Sequence, residues 1–302
     1  MEVTWLLTVF LVPLAFLDRD YVLSEAELAF IDLPKIALLR TLAAFIAVFW
    51  LVEWSFASGR HNGTRLDLQQ FRAGANRAFP RWRVTLFGHP CRWVIAAAGL
   101  FLASTLLSTV LSTSFSVSAW GMVPGQDTYP AYTVLAHFLL FAAVASHLKT
   151  SAQLARLFGA MIFMGTLVSG IAITQHFGID PFNLLDPVDL SQATSTLGNA
   201  VVAGSVLVLI LPLTLTSAVI TLERRVARGA FGWKALGWGL VLGIHLLGLI
   251  FTFGRGPWVG AIAALFSLLA LFLLFAGWRA CLKGLLVLGL AGGLCFLTLA
   301  TT

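Results

Sequence analysis

Long apolar runs separated by short polar segments make up most of the sequence. The runs are continuous and do not alternate with a period of two, which is typical of helices and not of strands. Their length suits a bilayer, where a helix satisfies its own backbone hydrogen bonds. The pattern predicts an all-α, polytopic transmembrane helix bundle that forms a single transmembrane domain over residues 1–302. The nine predicted spans are residues 3–17, 36–56, 93–111, 132–147, 157–177, 197–222, 238–253, 258–275 and 285–300.

The composition agrees with a membrane protein. Of the 302 residues, 59% are hydrophobic and 11% are charged, whereas a soluble domain has a charged fraction of about 25%. The first apolar run has no basic segment before it and no small-residue cleavage site, so we expect an uncleaved span and not a signal peptide. No metal-ligand spacing is present among the cysteines and histidines. We therefore predict neither a metal nor a cofactor.

The distribution of charge predicts the direction in which the spans cross the membrane. Most of the 19 Lys and Arg residues lie in alternate loops, whereas the intervening loops are acidic or neutral. The basic segments are residues 57–92, the turn with Lys149 and Arg156, residues 223–237 and the turn 276–284. Since basic loops face the cytoplasm, we expect a cytoplasmic N-terminus and an extracytoplasmic C-terminus.

The loop 57–92 has two interpretations. Its arginines alternate with Phe71, Phe79 and Trp82, which fits either an RNA-binding segment or an amphipathic stretch on anionic lipid. Basic stretches beside a span are common on the cytoplasmic leaflet. We favour a basic cytoplasmic loop that contacts membrane lipid, and we predict no nucleic-acid partner.

The break between the seventh and eighth spans carries a candidate anion site. Arg255 lies there between Gly254 and Gly256, and Pro257 is well placed to begin the next helix. A guanidinium at this depth is costly unless it meets an anion or a water-filled cavity. Backbone N–H groups and the Arg255 charge would then face the same point, which suits a phosphate or diphosphate. The alternative is an interfacial arginine that snorkels from a tight helix hairpin.

Two further segments of the predicted outer face have sequence features that hydropathy alone does not explain. Residues 111–130 have Ser, Gly, Pro and Trp but no Lys or Arg, which indicates an ordered, turn-rich loop. The outer loop 178–196 is polar and leads into Thr196-Leu-Gly-Asn199 at the start of the sixth span. The Gly-Asn pair there suits either a helix cap or the presentation of N–H groups to an anion.

Taken together, these segments resemble the O-antigen ligase/polymerase family of bacterial envelope proteins, over roughly residues 95–275. The residues that carry the resemblance are 111–121 (LSTSFSVSAWG), 175–181 (QHFGIDP), 195–199 (STLGN) followed by Leu211-Pro212-Leu213, and Gly254-Arg255-Gly256 with Trp258 and Gly260.

The resemblance implies a multi-pass, metal-independent glycosyltransferase of the bacterial inner membrane. Such proteins transfer a glycan from an undecaprenyl-diphosphate carrier to an acceptor at the outer face of the membrane. Arginines bind the diphosphate, and a histidine in a large extracytoplasmic loop activates the acceptor hydroxyl. We expect this chain to be the N-terminal nine-helix portion of such a protein, without that large loop.

The resemblance also implies which residues form the site. Arg255 would bind the diphosphate together with Asn199, Gln192, Gly254 and Gly256. Three positions depart from the family pattern: Gln192 replaces an arginine, Asn199-Ala200-Val201 replaces Asn-Pro-Asn, and Gly254 replaces a serine.

Only one histidine lies near the predicted outer surface, and it is the candidate catalytic base. His176 is at the outer end of the fifth span, and imidazole side chains commonly serve as general bases. The alternative is an interfacial histidine that is hydrogen-bonded to a loop carbonyl. His245 is in the middle of a span, where a packing role is more common than ligand binding.

The sequence leaves a second class of function open. A catalytically inactive relative would serve as a structural or assembly subunit with membrane-protein partners, for which its ten Trp and 24 Phe residues would supply contacts. A transporter is less favoured, because the predicted spans contain few ionisable residues.

Overall fold

The structure is a computed structural model that describes residues 1–17, 29–59, 92–121, 130–184, 192–223 and 231–301. Within these ranges the chain is all-helical and contains no strand. The α-helices are α1 (Glu2–Leu14), α2 (Ala29–Gly59), α3 (Arg92–Val110), α4 (Phe115–Trp120), α5 (Ala131–His147), α6 (Ser151–His176), α7 (Ala200–Glu223), α8 (Phe231–Phe251), α9 (Arg255–Leu271) and α10 (Trp278–Thr301). A 3₁₀ turn covers Ser195–Leu197, and a π turn at Phe272–Ala276 extends α9.

Seven of these helices are long and apolar enough to cross a membrane. Helix α1 has 13 residues and α5 has 17, which is less than the roughly 20 residues that a span normally needs. The predicted all-helical, multi-pass membrane protein is therefore confirmed. The number of nine spans and the orientation of the termini stay predictions. The candidate spans are Phe30–Glu53, Trp93–Val110, Ser151–His176, Ala200–Glu223, Phe231–Phe251, Arg255–Ala276 and Trp278–Thr301.

Four helices, α2, α6, α8 and α10, begin six or seven residues earlier than hydropathy predicts. Helix α2 starts at Ala29, so that Asp32 and Lys35 are in its first turns and not in a loop. Helix α10 starts at Trp278, so the segment 276–284 is mostly helical and not a turn. Hydropathy detects only the apolar part of a helix, whereas polar turns continue the same hydrogen-bond pattern. Most of the predicted cytoplasmic loop 57–92 lies outside the described residues.

The chain forms two compact units. The first contains residues 1–8 and 36–149, and the second contains residues 9–35 and 150–302. The single transmembrane domain that the sequence predicts stays a prediction.

Polar side chains connect α2 and α5 in the first unit. The Arg40 guanidinium donates to Thr133 Oγ1 at 2.7 Å and 3.1 Å. Further along both helices, His147 Nε2 lies 3.0 Å from Glu53 Oε2. Contacts that advance along both helices together mean that α2 and α5 run parallel.

The core of the second unit surrounds α7. Leu207, Ile210, Leu211 and Leu215 of this helix are 0–1% exposed, and the core around them draws on α6, α8, α9 and α10. Lipid supplies little hydrophobic driving force between helices, so close contact between their surfaces stabilises such a bundle. Helix α7 is thus the central helix, and α6, α8, α9 and α10 pack around it.

Side-chain contacts fix the relative directions of these helices. Thr166 and Ser169 of α6 meet His245 and Gly248 of α8 in the same order, so α6 and α8 run parallel. Helices α8 and α10 are also parallel, because Gly239 and Gly243 meet Leu290 and Leu294. Helices α7 and α9 run antiparallel to α6, α8 and α10. At one end of this unit, which we name the Arg255 end, α6 and α8 therefore finish while α7 and α9 begin.

His245 confirms the packing role that its position in a span predicts. Its side chain is fully buried, with Nε2 3.1 Å from Thr166 Oγ1 and Nδ1 3.1 Å from Thr214 Oγ1. These contacts join α8 to α6 on one side and to α7 on the other. His245 is therefore a polar link between three helices inside the apolar core.

Candidate functional site

A tightly hydrogen-bonded turn connects α8 to α9 at the Arg255 end. Thr252 Oγ1 donates to Leu249 O at 2.7 Å and accepts from Gly254 N at 3.3 Å. Trp258 Nε1 of α9 donates to the same Leu249 carbonyl at 3.1 Å. These bonds satisfy backbone groups that a helix end leaves without partners. They hold the start of α9 in a fixed place against the end of α8.

Arg255 is the first residue of α9 and is exposed, as is Gly256. The predicted break around Arg255 is confirmed, and Pro257 is in the first turn of the new helix. Within the part of the chain that the structure describes, no carboxylate forms an ion pair with Arg255. A side chain at Gly256 would meet nothing within 4 Å. The Arg255 charge and the first amides of α9 are thus open to a ligand.

The start of α7 lies beside the start of α9. Gly204 packs so closely on α9 that a Cβ atom there would lie 2.7 Å from Pro257 Cβ. One turn further, Val208 faces Gly260. The two parallel helices therefore direct the positive ends of their dipoles towards the same end of the unit, which favours an anion there.

Asn199 caps α7, which is one of the two roles that its position suggests. Its Oδ1 accepts hydrogen bonds from Val201 N at 2.8 Å and Val202 N at 3.3 Å. The sequence left open whether this residue caps the helix or leaves the N–H groups for an anion. The structure shows the cap, and two of the first amides of α7 are therefore already bonded.

We expect Asn199→Ala to destabilise the protein by about 1 kcal/mol, because the N-cap acceptor is lost. Asn199→Asp keeps an acceptor oxygen and is the matched control. The thermal unfolding midpoint in detergent measures both variants. Equal midpoints for the alanine variant and the wild type would mean that the cap does not stabilise the helix.

The turn before Asn199 is anchored from several directions. Ser195, at φ 53°, donates its N–H to Gln175 Oε1 and its hydroxyl to Val168 O, both at 2.7 Å. Thr196 Oγ1 donates to Pro13 O at 2.9 Å. Ser195 and Thr196 are fully buried. The turn is therefore part of the core and not a surface loop.

Lys35 is the residue at this turn that sequence reasoning missed. Its ammonium donates to the carbonyls of Ala15 at 2.9 Å, Ile31 at 3.3 Å and Thr196 at 2.5 Å. The three N–H donors of one lysine thus hold three separate segments together. A lysine this close to a predicted span indicates that it has a role, but the sequence does not show which carbonyls it binds.

Contacts with aromatic side chains determine the orientation of the His176 ring. Its ring stacks on Phe251 with centroids 3.8 Å apart and an angle of 7° between the planes, while Phe177 contacts it edge-on at 5.4 Å. Among the described residues its contacts are aromatic and not the predicted hydrogen bond to a loop carbonyl. The imidazole plane is therefore fixed by phenylalanine rings.

Phe251 brings three predicted site residues together. His176 stacks on its ring, and its carbonyl accepts from Ala193 N at 3.1 Å, next to the exposed Gln192. Arg255 follows four residues later at the start of α9. At the Arg255 end, Phe251 therefore contacts the His176 imidazole and the residue after Gln192, and it precedes Arg255 by four positions.

Phe253 is a further site residue that the sequence did not indicate. The residue is 43% exposed, and its ring centroid lies 5.9 Å from that of His176 and 6.3 Å from that of Trp258. An exposed aromatic ring therefore lies two residues from Arg255.

No family model, curated protein or solved structure matches this chain. The geometry of the Arg255 end therefore carries the functional argument. No group of three or more His, Cys, Asp or Glu residues in the described ranges could hold a metal ion. Among the described residues, the Arg255 end offers a guanidinium without an ion-pair partner, the start of a helix, an imidazole stacked on Phe251 and an exposed aromatic side chain.

Proposed function

We propose that this protein is a bacterial inner-membrane glycosyltransferase of the O-antigen ligase/polymerase type. It would transfer a glycan from undecaprenyl diphosphate to an acceptor at the outer face of the membrane. The observation that carries the proposal is the exposed Arg255 at the first residue of α9, which pairs with no carboxylate of the described ranges. A planar guanidinium binds phosphate oxygens in pairs and keeps its charge at any physiological pH.

The neighbouring groups support a diphosphate at this point. The start of α7 lies beside that of α9, and both helix dipoles favour a negative charge there. Gly254 and Gly256 leave the backbone around Arg255 without side chains. Gln192 and Asn199 lie at the same end and are exposed, so we assign them to the polar wall of this substrate site.

The proposed reaction requires little more than a cation and a base. The acceptor hydroxyl oxygen bonds to the anomeric carbon while the bond from that carbon to the diphosphate oxygen breaks. The diphosphate leaves with the electron pair, and Arg255 stabilises its charge. The proton of the hydroxyl passes to a base, for which His176, oriented by Phe251, is the candidate in this chain.

The proposed orientation of the protein in the membrane follows from the charge distribution. The Arg255 end would face the outside, because the basic segments of the sequence belong to the opposite end. Lys283 and Glu223, which pair at 3.7 Å, lie at that opposite end. An undecaprenyl chain in the outer leaflet would then place its diphosphate at the level of Arg255.

Arg255→Ala is expected to weaken the binding of undecaprenyl diphosphate by about tenfold or more, since charged hydrogen bonds contribute about 1.5–3 kcal/mol each. Arg255→Lys should retain part of the affinity, because it keeps the charge but not the planar fork. Titration of the carrier into protein in lipid nanodiscs measures the dissociation constants.

Arg279→Ala is the matched control for this experiment. Arg279 lies in the first turn of α10 at the opposite end of the unit, where its guanidinium is 5.7 Å from the Trp278 ring centroid. This variant should bind the carrier as the wild type does. Unchanged affinity in Arg255→Ala, or an equal loss in both variants, would sink the proposal.

A structural or assembly subunit is the second candidate, and the exposed side of α9 favours it. Val259, Ile262 and Phe266 are 68–73% exposed, which gives an apolar face for lipid or for the helices of other membrane proteins. Stable copurification of the same partner chains, together with a carrier affinity that does not depend on Arg255, would favour this function over glycan transfer.

A further inference from the structure

Phe253 has a backbone conformation that residues other than glycine rarely adopt. Its φ is 50°, in the left-handed region where a Cβ atom meets the neighbouring carbonyl. Its N–H donates to Ile250 O at 3.0 Å as the chain leaves α8. Glycine is the usual residue where a helix ends in this conformation. The local backbone conformation therefore does not explain why a phenylalanine is at this position.

Burial does not compensate for this strain. Phe253 is 43% exposed, whereas Phe251, two residues earlier in the same turn of chain, is 1% exposed and belongs to the core. Strained residues whose packing does not explain them concentrate at binding sites. A ligand that contacts the Phe253 ring would account for a large aromatic residue at a glycine position.

The position of the ring beside Arg255 indicates the kind of ligand. Only Gly254, which has no side chain, separates the two exposed residues, and two peptide units span about 7 Å at most. In a glycosyl diphosphate, one oxygen joins the anomeric carbon to phosphorus. A diphosphate bound at Arg255 would therefore bring the first sugar within reach of Phe253.

Aromatic rings suit this part of such a ligand. A pyranose has an apolar face of C–H groups as well as its hydroxyls, and an aromatic side chain offers a flat apolar surface at little conformational cost. His176 and Trp258 both lie near the Phe253 ring, with centroids 5.9 Å and 6.3 Å away. Three aromatic side chains are therefore close together where the sugar would lie, and Phe253 is the exposed one.

We propose that Phe253 stacks on the sugar that is linked directly to the carrier diphosphate, so that the site recognises the glycosylated carrier in preference to the bare one. This inference rests on the proposed function and assigns it a specificity residue. The isoprenoid chain and the bilayer interface are the other apolar groups that such a ring could contact.

The test compares two probes with the protein in nanodiscs: undecaprenyl diphosphate, and undecaprenyl diphosphate that carries one N-acetylglucosamine. We expect the wild type to bind the glycosylated probe about fivefold more tightly, in line with the worth of one aromatic contact. Phe253→Leu should abolish this preference and leave the affinity for undecaprenyl diphosphate within about twofold of the wild type, since Arg255 is unchanged. Phe253→Tyr should keep the preference.

Two further variants separate recognition from folding. Phe266→Leu makes the same change at an exposed phenylalanine within α9 and should keep the preference. Phe253→Gly should lose the preference and raise the thermal midpoint, because glycine relieves the left-handed strain. A residue with a purely structural role would not combine a more stable fold with poorer recognition of the sugar.

The outcomes distinguish the two proposals. A wild type that binds both probes equally, or a Phe253→Leu variant that keeps its preference, overturns the sugar contact alone. An equal loss of affinity for both probes in Phe253→Leu assigns the ring to the isoprenoid chain or to the turn itself and also overturns it. A wild type that binds neither probe overturns the proposed function and this inference together.

Discussion

Gly248→Ala is expected to destabilise the second unit by about 1–3 kcal/mol, the usual range when an atom is forced into a packed core. A Cβ atom at Gly248 would lie 2.7 Å from Ser169 Cβ and 2.8 Å from Ser169 Cα. The second of these is a backbone atom, so a rotamer change cannot relieve the contact. Helices α6 and α8 would have to separate, and His245, bonded to Thr166 one turn away, would move with them.

Gly237→Ala makes the same change in the same helix and is the matched control. A Cβ atom at Gly237 would meet nothing within 4 Å, so this variant should be neutral or stabilised by up to about 1 kcal/mol through helix propensity. Unfolding midpoints in detergent measure both variants. Equal midpoints for Gly248→Ala and Gly237→Ala would contradict the close α6–α8 contact.

Lys35→Met is expected to destabilise the Arg255 end by about 2–3 kcal/mol, since hydrogen bonds that involve a charge contribute about 1.5–3 kcal/mol. Methionine has a similar length but cannot donate to the carbonyls of Ala15, Ile31 and Thr196. The turn at residues 195–199 would lose one of its anchors. Amide exchange in this turn should therefore rise by about tenfold or more, as in other locally opened segments.

Lys283→Met provides the comparison for this variant. Lys283 pairs only with the partly exposed Glu223 at 3.7 Å in the described structure, and such surface pairs contribute about 0–1 kcal/mol. Its replacement should leave exchange at residues 195–199 unchanged. If both lysine variants had the same effect, the three carbonyl contacts of Lys35 would not stabilise the turn.

The helices could be predicted because lipid constrains each segment of the chain independently of the others. Any apolar segment of sufficient length must satisfy its own backbone in lipid, so hydropathy found each long helix without knowledge of its neighbours. The same reasoning misplaced the starts of α2, α6, α8 and α10. Asp32 and Lys35 are polar but continue the hydrogen-bond pattern of α2, which a scale of side-chain polarity cannot detect.

The site was predictable where it depends on local sequence. Arg255 between two glycines and before a proline predicted the break and the new helix, and the Gly-Asn pair at residues 198–199 limited Asn199 to two roles, of which the structure shows the cap of α7. Lys35 was not predictable as a link to Thr196, because the two residues are 161 positions apart. Phe253 was missed for another reason: its significance comes from its left-handed backbone and its exposure, and neither follows from residue type.

A direct distance measurement between Arg255 and the carrier would test the central claim. Nitrogen-15 in the Arg255 guanidinium and phosphorus-31 in undecaprenyl diphosphate form a pair for solid-state NMR, with Arg255→Lys to assign the signal. A bidentate contact predicts dephasing that corresponds to about 4 Å between nitrogen and phosphorus. Absence of dephasing at a carrier concentration that saturates binding would show that the diphosphate lies elsewhere and would contradict the account.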